Sequence, residues 1–107
     1  LVDLDEIRWA GAYFSEHGSL LGGYKGLVYC VIGKKNPAPL MRFLNIVKVG
    51  RVIGPYESNR GMNYFRCTKA DEVAALKEQL WVWLTSDKQS EWAALEQLTT
   101  TDAILGH

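Results

Sequence analysis

The sequence predicts an α+β fold, a four-stranded antiparallel sheet with helices on one face, and three observations predict it. The segments run helix, hairpin, helix, hairpin, helix, helix, so an αββ unit is stated twice and two helices follow it. Within the run Asn63 to Thr68, Tyr64, Arg66 and Thr68 point one way while Phe65 and Cys67 point the other, which gives a sheet with one buried face and one open face. The length of 107 residues, with 48% apolar and 22% charged, supports one globular domain over residues 1–107.

Each element has its own signal. Asp3 followed by Glu6 has the spacing of a reciprocal N-cap, and Ile7, Ala10, Gly11 and Phe14 recur at helical intervals, so a first helix is expected from Leu4 to Glu16, stopped by Gly18. From Ser19 onward, Gly22-Gly23 and Lys25-Gly26 break the chain into a short strand, a turn and a strand over Leu27 to Ile32. Asn36-Pro37 reads as an N-cap and first helical residue. Leu40, Phe43, Leu44 and Val47 line one face of the second helix, which Gly50 is expected to end. Arg51 to Tyr56 and Asn63 to Thr68 form the second hairpin around Ser58-Asn59-Arg60-Gly61. Thr68 with Asp71 caps a third helix whose stripe is Val73, Leu76, Leu80 and Leu84. Ser86 with Gln89 caps a fourth, with Trp92, Leu95 and Leu98 inward and a loosely held end from Thr99.

The formal net charge is zero, but its distribution is uneven. Residues 18–69 hold Lys25, Lys34, Lys35, Arg42, Lys48, Arg51, Arg60, Arg66 and Lys69 against Glu57 alone, while both flanks are acidic. That segment contains all four strands, so the expected open face is cationic and suited to a polyanion such as a nucleic-acid backbone. Cys30 and Cys67 lie in apolar runs without metal-ligand spacing and are expected reduced and packed. No apolar run approaches the roughly 18 residues of a membrane span. The acidic start is unlike a signal peptide, so the expectation is a cytoplasmic protein with no membrane partner.

Ala10-Gly11-Ala12-Tyr13-Phe14-Ser15-Glu16-His17-Gly18 resembles a degenerate copy of the nine-residue signature of the LAGLIDADG homing endonucleases. Gly50 to Tyr56 resembles the glycine-led third strand of single-motif members, Tyr64-Phe65-Arg66 their fourth strand, and Leu80 to Leu84 the end of their third helix. The resemblance covers residues 4–98 in family order. It implies an αββαββα core, and its single signature implies a homodimer whose first helices pair through Ala10, Gly11, Ala12 and Phe14. It further implies double-stranded DNA as partner, with Lys25, Lys34, Lys35, Arg51, Arg60, Asn63, Tyr64 and Arg66 on phosphates and base edges.

In that family the acid before the final glycine of the signature helps hold a divalent metal, magnesium or manganese, at the scissile phosphate. Here His17 stands there, with Glu16 one position away, which on a helix is a turn of about 100°. Imidazole suits zinc, copper, iron or nickel better than magnesium, so Glu16 and His17 are the catalytic and metal-ligating candidates of an impaired nuclease site. The short, glycine-rich first hairpin argues against reading a long target sequence. The alternatives are a DNA- or RNA-binding module without catalysis and a protein-interaction module that uses an exposed Trp81 or Trp92.

Overall fold

The structure, a computed structural model, describes residues 3–22 and 26–105, with side chains as far as residue 97. Asp3 starts helix α1 (Leu4–His17) by accepting the backbone N–H groups of Asp5 at 2.9 Å and Glu6 at 3.4 Å. The cap is not reciprocal. Glu6 reaches Arg42 on the next helix instead, at 3.3 Å. The chain leaves α1 in an extended conformation at Gly18 and enters β1 (Gly18–Gly22) without a loop. Strand β2 (Val28–Lys34) returns antiparallel, with Leu20 opposite Cys30 and Ser19 opposite Val31.

Asn36 prepares the second helix, its side-chain oxygen accepting the Ala38 N–H at 3.0 Å, so that α2 (Ala38–Val47) starts one residue past the expected position, with Pro37 as its cap. Its end also differs from expectation. Lys48, at φ 59°, takes the left-handed position, and its N–H bonds back to Leu44, two residues before Gly50. Strands β3 (Arg51–Tyr56) and β4 (Met62–Cys67) pair antiparallel around a single turn of 3-10 helix at Glu57–Asn59.

Helix α3 (Ala70–Leu80) begins after Lys69 with no side-chain cap, so Thr68 does not play the expected part. A 3-10 turn at Trp81–Trp83 leads to α4 (Ser86–Leu105). Thr85, not Ser86, caps α4, its hydroxyl accepting the Lys88 N–H at 3.2 Å, while Gln89 donates back to the Trp81 carbonyl at 2.6 Å. Backbone helix continues through the segment expected to be loose. The side chains of Leu98, Ile104 and Leu105 lie outside the described residues.

The sheet order is β1-β2-β4-β3, with helices on one face, as the repeated αββ pattern predicts. Leu20, Val28, Cys30, Ile32, Phe65 and Cys67 point from the strands into the helix layer. There they meet Phe14 of α1, Leu40 and Phe43 of α2, Leu76 and Leu80 of α3 and Trp92 of α4, all buried. Phe43 packs edge-on against Phe65 at 4.9 Å, and Phe14 touches both Phe43 and Trp92. Burying each such side chain contributes about 1.5–3 kcal/mol, so the aromatic centre is the main clamp between the layers. Trp92 is fully buried and Trp81 half-buried, which removes Trp92 as an exposed docking residue. Both cysteines are free thiols in this core, as expected. Among the described residues no helix is long and apolar enough to cross a membrane.

Candidate nucleic-acid interface

The open face of the sheet is read directly from strand parity and register. Ser19, Val31, Arg66 and Arg51 form one row across it, and Gly33, Tyr64 and Ile53 the next. Arg51 and Arg66 are both exposed and directly opposite each other, and neither guanidinium meets a carboxylate within 4.0 Å among the described residues. Thr68, Lys69, Gly50 and Glu72 join them around a shallow cavity of about 150 Å³ at that edge.

Tyr64 organises the adjoining row. Its ring lies over Gly33, where a Cβ would come within 2.9 Å of Tyr64 Cε1. The Arg66 guanidinium sits 5.5 Å from the ring centre and the exposed Tyr56 ring 5.9 Å away, while Asn59 donates to the hydroxyl. Cations and aromatic rings therefore alternate on a surface whose backbone is fixed by the ladder beneath it. Such a surface can contact phosphates through the guanidinium groups and bases through the rings.

The other expected contact residues are dispersed. Arg60 is exposed at the turn between β3 and β4, in the left-handed conformation, and Lys35 is exposed in the loop after β2. Lys25 lies outside the described residues. Asn63 is a correction: it is 5% exposed, faces the helix layer and donates to the Lys35 carbonyl at 2.9 Å, so it braces the β2 exit and does not reach a base. Arg42 lies on α2 and Lys48 at its C-terminal cap, and Arg42 is committed to Trp9, 3.9 Å from the ring centre, and to Glu6. The cationic segment therefore does not collect on one face; Arg51 and Arg66 are the strand cations that reach the open side.

Lys34 has the parity of Val28, Cys30 and Ile32, so it emerges on the helix side at the end of β2. Its Nζ lies 2.9 Å from His17 Nδ1 at the end of α1. An ammonium only donates, so Nδ1 accepts, and the ring hydrogen belongs on Nε2, which faces Glu16 Oε2 at 3.7 Å. The ring is further held by Tyr13, at 4.7 Å, which stacks in turn on Trp9 at 4.8 Å. Residues 9, 13 and 17 are one turn apart on α1, and this aromatic stripe, capped by Arg42 at one end and Lys34 at the other, was not identified from the sequence. The helical spacing of Trp9, Tyr13 and His17, with the strand parity of Lys34, was the available signal. The Tyr13 hydroxyl within it is buried and has no hydrogen-bond partner among the described residues.

These residues do not fit a magnesium or manganese site. The imidazole has no lone pair left to offer, and a unit charge about 4 Å from another contributes roughly 4 kcal/mol of repulsion at an effective dielectric of 20, so the Lys34 ammonium opposes a divalent ion beside His17. Glu16 is then a single exposed carboxylate, and no cluster of three potential ligands occurs among the described residues.

The four expected dimer residues separate by helix face. Ala10 and Phe14 are fully buried in this chain's own core, and Gly11 lies against Trp83, where a Cβ would meet Trp83 Cβ at 2.4 Å. Those three are corrections, because a side chain enclosed by its own domain has no surface for a second copy. Ala12 is exposed, on the strip it shares with Arg8 and Glu16.

Similarity to solved structures agrees with the fold. Residues across 92% of the chain superpose on the LAGLIDADG meganuclease I-AabMI, solved with uncleaved DNA, with a TM-score of 0.66 and 18% identity. The LAGLIDADG meganuclease I-CpaMI, also solved with uncleaved DNA, matches over 89% with a TM-score of 0.62 and 17% identity. The chain has the LAGLIDADG meganuclease fold. It spans 38% and 35% of the length of those two chains. No protein-family model and no curated relative matches the sequence.

Proposed function

We propose that the chain is a duplex-DNA-binding domain that acts as a homodimer, with the open face of its sheet turned to the phosphate backbone. The observation that carries the reading is the opposition of Arg51 and Arg66 on that face without a carboxylate partner among the described residues. Like charges directly opposite on adjacent strands disfavour the sheet, and a polyanion reverses the sign of their effect. The likeness of the fold to two meganucleases solved with uncleaved DNA supports DNA as that polyanion. Guanidinium groups supply backbone contacts, and the short β1–β2 hairpin offers few base contacts, so the reading is of strong salt dependence with modest sequence preference.

One feature supports the dimer: α1 exposes a strip with the small residue Ala12 between Arg8 and Glu16, where a second α1 can approach closely. Hydrolysis is not part of this reading, because within one protomer His17 Nδ1 is engaged by Lys34 and Glu16 offers a single exposed carboxylate. Fluorescence anisotropy with a labelled mixed-sequence duplex, titrated with sodium chloride, and sedimentation equilibrium of the free protein test it together. The expected result is a dimer whose affinity falls steeply with salt. A monomer that ignores the duplex in dilute buffer overturns the reading, and a structured RNA that competes better than the duplex reassigns the ligand.

A further inference from the structure

We propose that Lys34, positioned by His17, is a phosphate-binding residue that makes backbone binding at the end of α1 independent of divalent metal. The inference rests on the duplex-DNA reading and goes beyond it by naming a fixed cation that stands beside both metal-ligating candidates, Glu16 and His17. Lys34 Nζ uses one of its three hydrogens on His17 Nδ1 at 2.9 Å. It has no carboxylate within 4.0 Å among the described residues, and its side chain is only partly covered, so two hydrogens remain for an anion. His17 is held in turn by the Tyr13 ring at 4.7 Å, and Tyr13 by Trp9. The ammonium is therefore aimed by a packed stripe of rings on α1 instead of waving at the end of a free stem.

The same arrangement excludes a metal. The lone pair of Nδ1 is directed at the ammonium, Nε2 carries the ring hydrogen toward Glu16, and Lys34 supplies a fixed positive charge that a divalent ion would have to displace. A consequence separates this geometry from a simple loss of one carboxylate. Restoring an acid by His17→Asp does not restore metal binding, because the new carboxylate becomes the counter-ion of Lys34. The ammonium must also go, as in His17→Asp with Lys34→Gln.

Two measurements on the intact chain test the proposal, with thermal melts to confirm folding. In the first, duplex affinity is measured by anisotropy across a sodium chloride series, in magnesium and in EDTA at matched ionic strength. Wild-type affinity is expected to be equal in the two, Lys34→Gln to lower the slope of log affinity against log salt by about one for each protomer, and Lys34→Arg to keep it. In the second, the electron paramagnetic resonance signal of free manganese is followed as protein is added. Wild type and His17→Asp are expected to leave it unchanged, and the double variant to diminish it. Affinity at least tenfold higher in magnesium, an unchanged salt slope in folded Lys34→Gln, or manganese binding by His17→Asp equal to that of the double variant each overturns the inference while leaving DNA binding intact. Failure of the wild type to bind any duplex sinks the DNA reading and the phosphate role with it, and the manganese measurement still decides whether Lys34 excludes the ion.

Discussion

Arg51 and Arg66 stand opposite each other on β3 and β4, two exposed cations side by side on the face of the sheet turned away from the helix layer. A directly opposed like-charge pair costs roughly 0.2–1 kcal/mol, so the arrangement is unfavourable to the fold by itself. Arg66→Gln is expected to leave urea stability unchanged or raise it by a few tenths of a kcal/mol while reducing duplex affinity and the salt slope. Paired denaturation and anisotropy measurements check both signs. A variant that loses stability and keeps its affinity would show that Arg66 serves the sheet through its contact with Tyr64.

Adjacent small residues on α1 are expected to behave in opposite ways. At Gly11 a new Cβ would fall 2.4 Å from Trp83 Cβ and 2.9 Å from the Trp83 backbone, so Gly11→Ala is expected to destabilise the monomer fold by about 1–3 kcal/mol. Ala12 is exposed, and Ala12→Arg is expected to leave the melting transition nearly unchanged while shifting sedimentation toward monomer. Equal dimer content in wild type and Ala12→Arg would place the self-association surface elsewhere.

Periodicity made the elements legible in the sequence, because apolar residues at helix and strand spacing coincide with burial here: Leu40, Phe43 and Val47 on α2, Phe65 and Cys67 on β4. Caps were read less well. Ser, Thr and Asn close to a helix start compete for the same orphan N–H groups, and spacing alone does not rank Thr85 above Ser86 or exclude Thr68. At the site, the charge pattern and strand parity offered Arg51, Arg66 and Tyr64 as candidates, and the same parity already sets Asn63 with Phe65 and Cys67 on the buried face, although the family resemblance offered it as a contact. The Lys34–His17 pair needed the third dimension: residues 17 apart in sequence meet because β1 begins as α1 ends and β2 returns beside it.

Asn63 is accordingly expected to matter for folding more than for binding. Its carboxamide is buried and donates to the Lys35 carbonyl, which ties the β2 exit to β4. Asn63→Ala removes that partly buried bond, an effect of about 0.5–1.5 kcal/mol. Urea denaturation should show the loss, and duplex affinity measured well below the transition should stay within about threefold of wild type. A binding defect of tenfold or more in a stably folded Asn63→Ala protein would return Asn63 to the interface.

The two thiols give the fold a definite alkaline limit. Burial pushes Cys67 up to about 11, reinforced by the carboxylates of Glu72 and Asp71, from an ordinary value of 9.0. Cys30, opposite it in the β2–β4 ladder, is raised further by burial and by Cys67, with Lys88 acting the other way. Between pH 9 and about 11 the unfolded chain gives up the Cys67 proton while the native chain keeps it, so alkalinity draws the equilibrium toward the unfolded state. The stability held through this thiol is complete below pH 9 and is lost as pH rises through 11, at up to about 1.4 kcal/mol per pH unit. Cys67→Ala is expected to lower stability at neutral pH, by loss of packing, and to flatten the decline above pH 9, which urea denaturation at a series of pH values resolves. In wild type, a thiol reagent at pH 8 should react only at the rate at which the core opens. Rapid modification of either cysteine in the folded protein, or a decline in Cys67→Ala as steep as in wild type, would mean that the β2–β4 face beneath α3 and α4 is open to solvent.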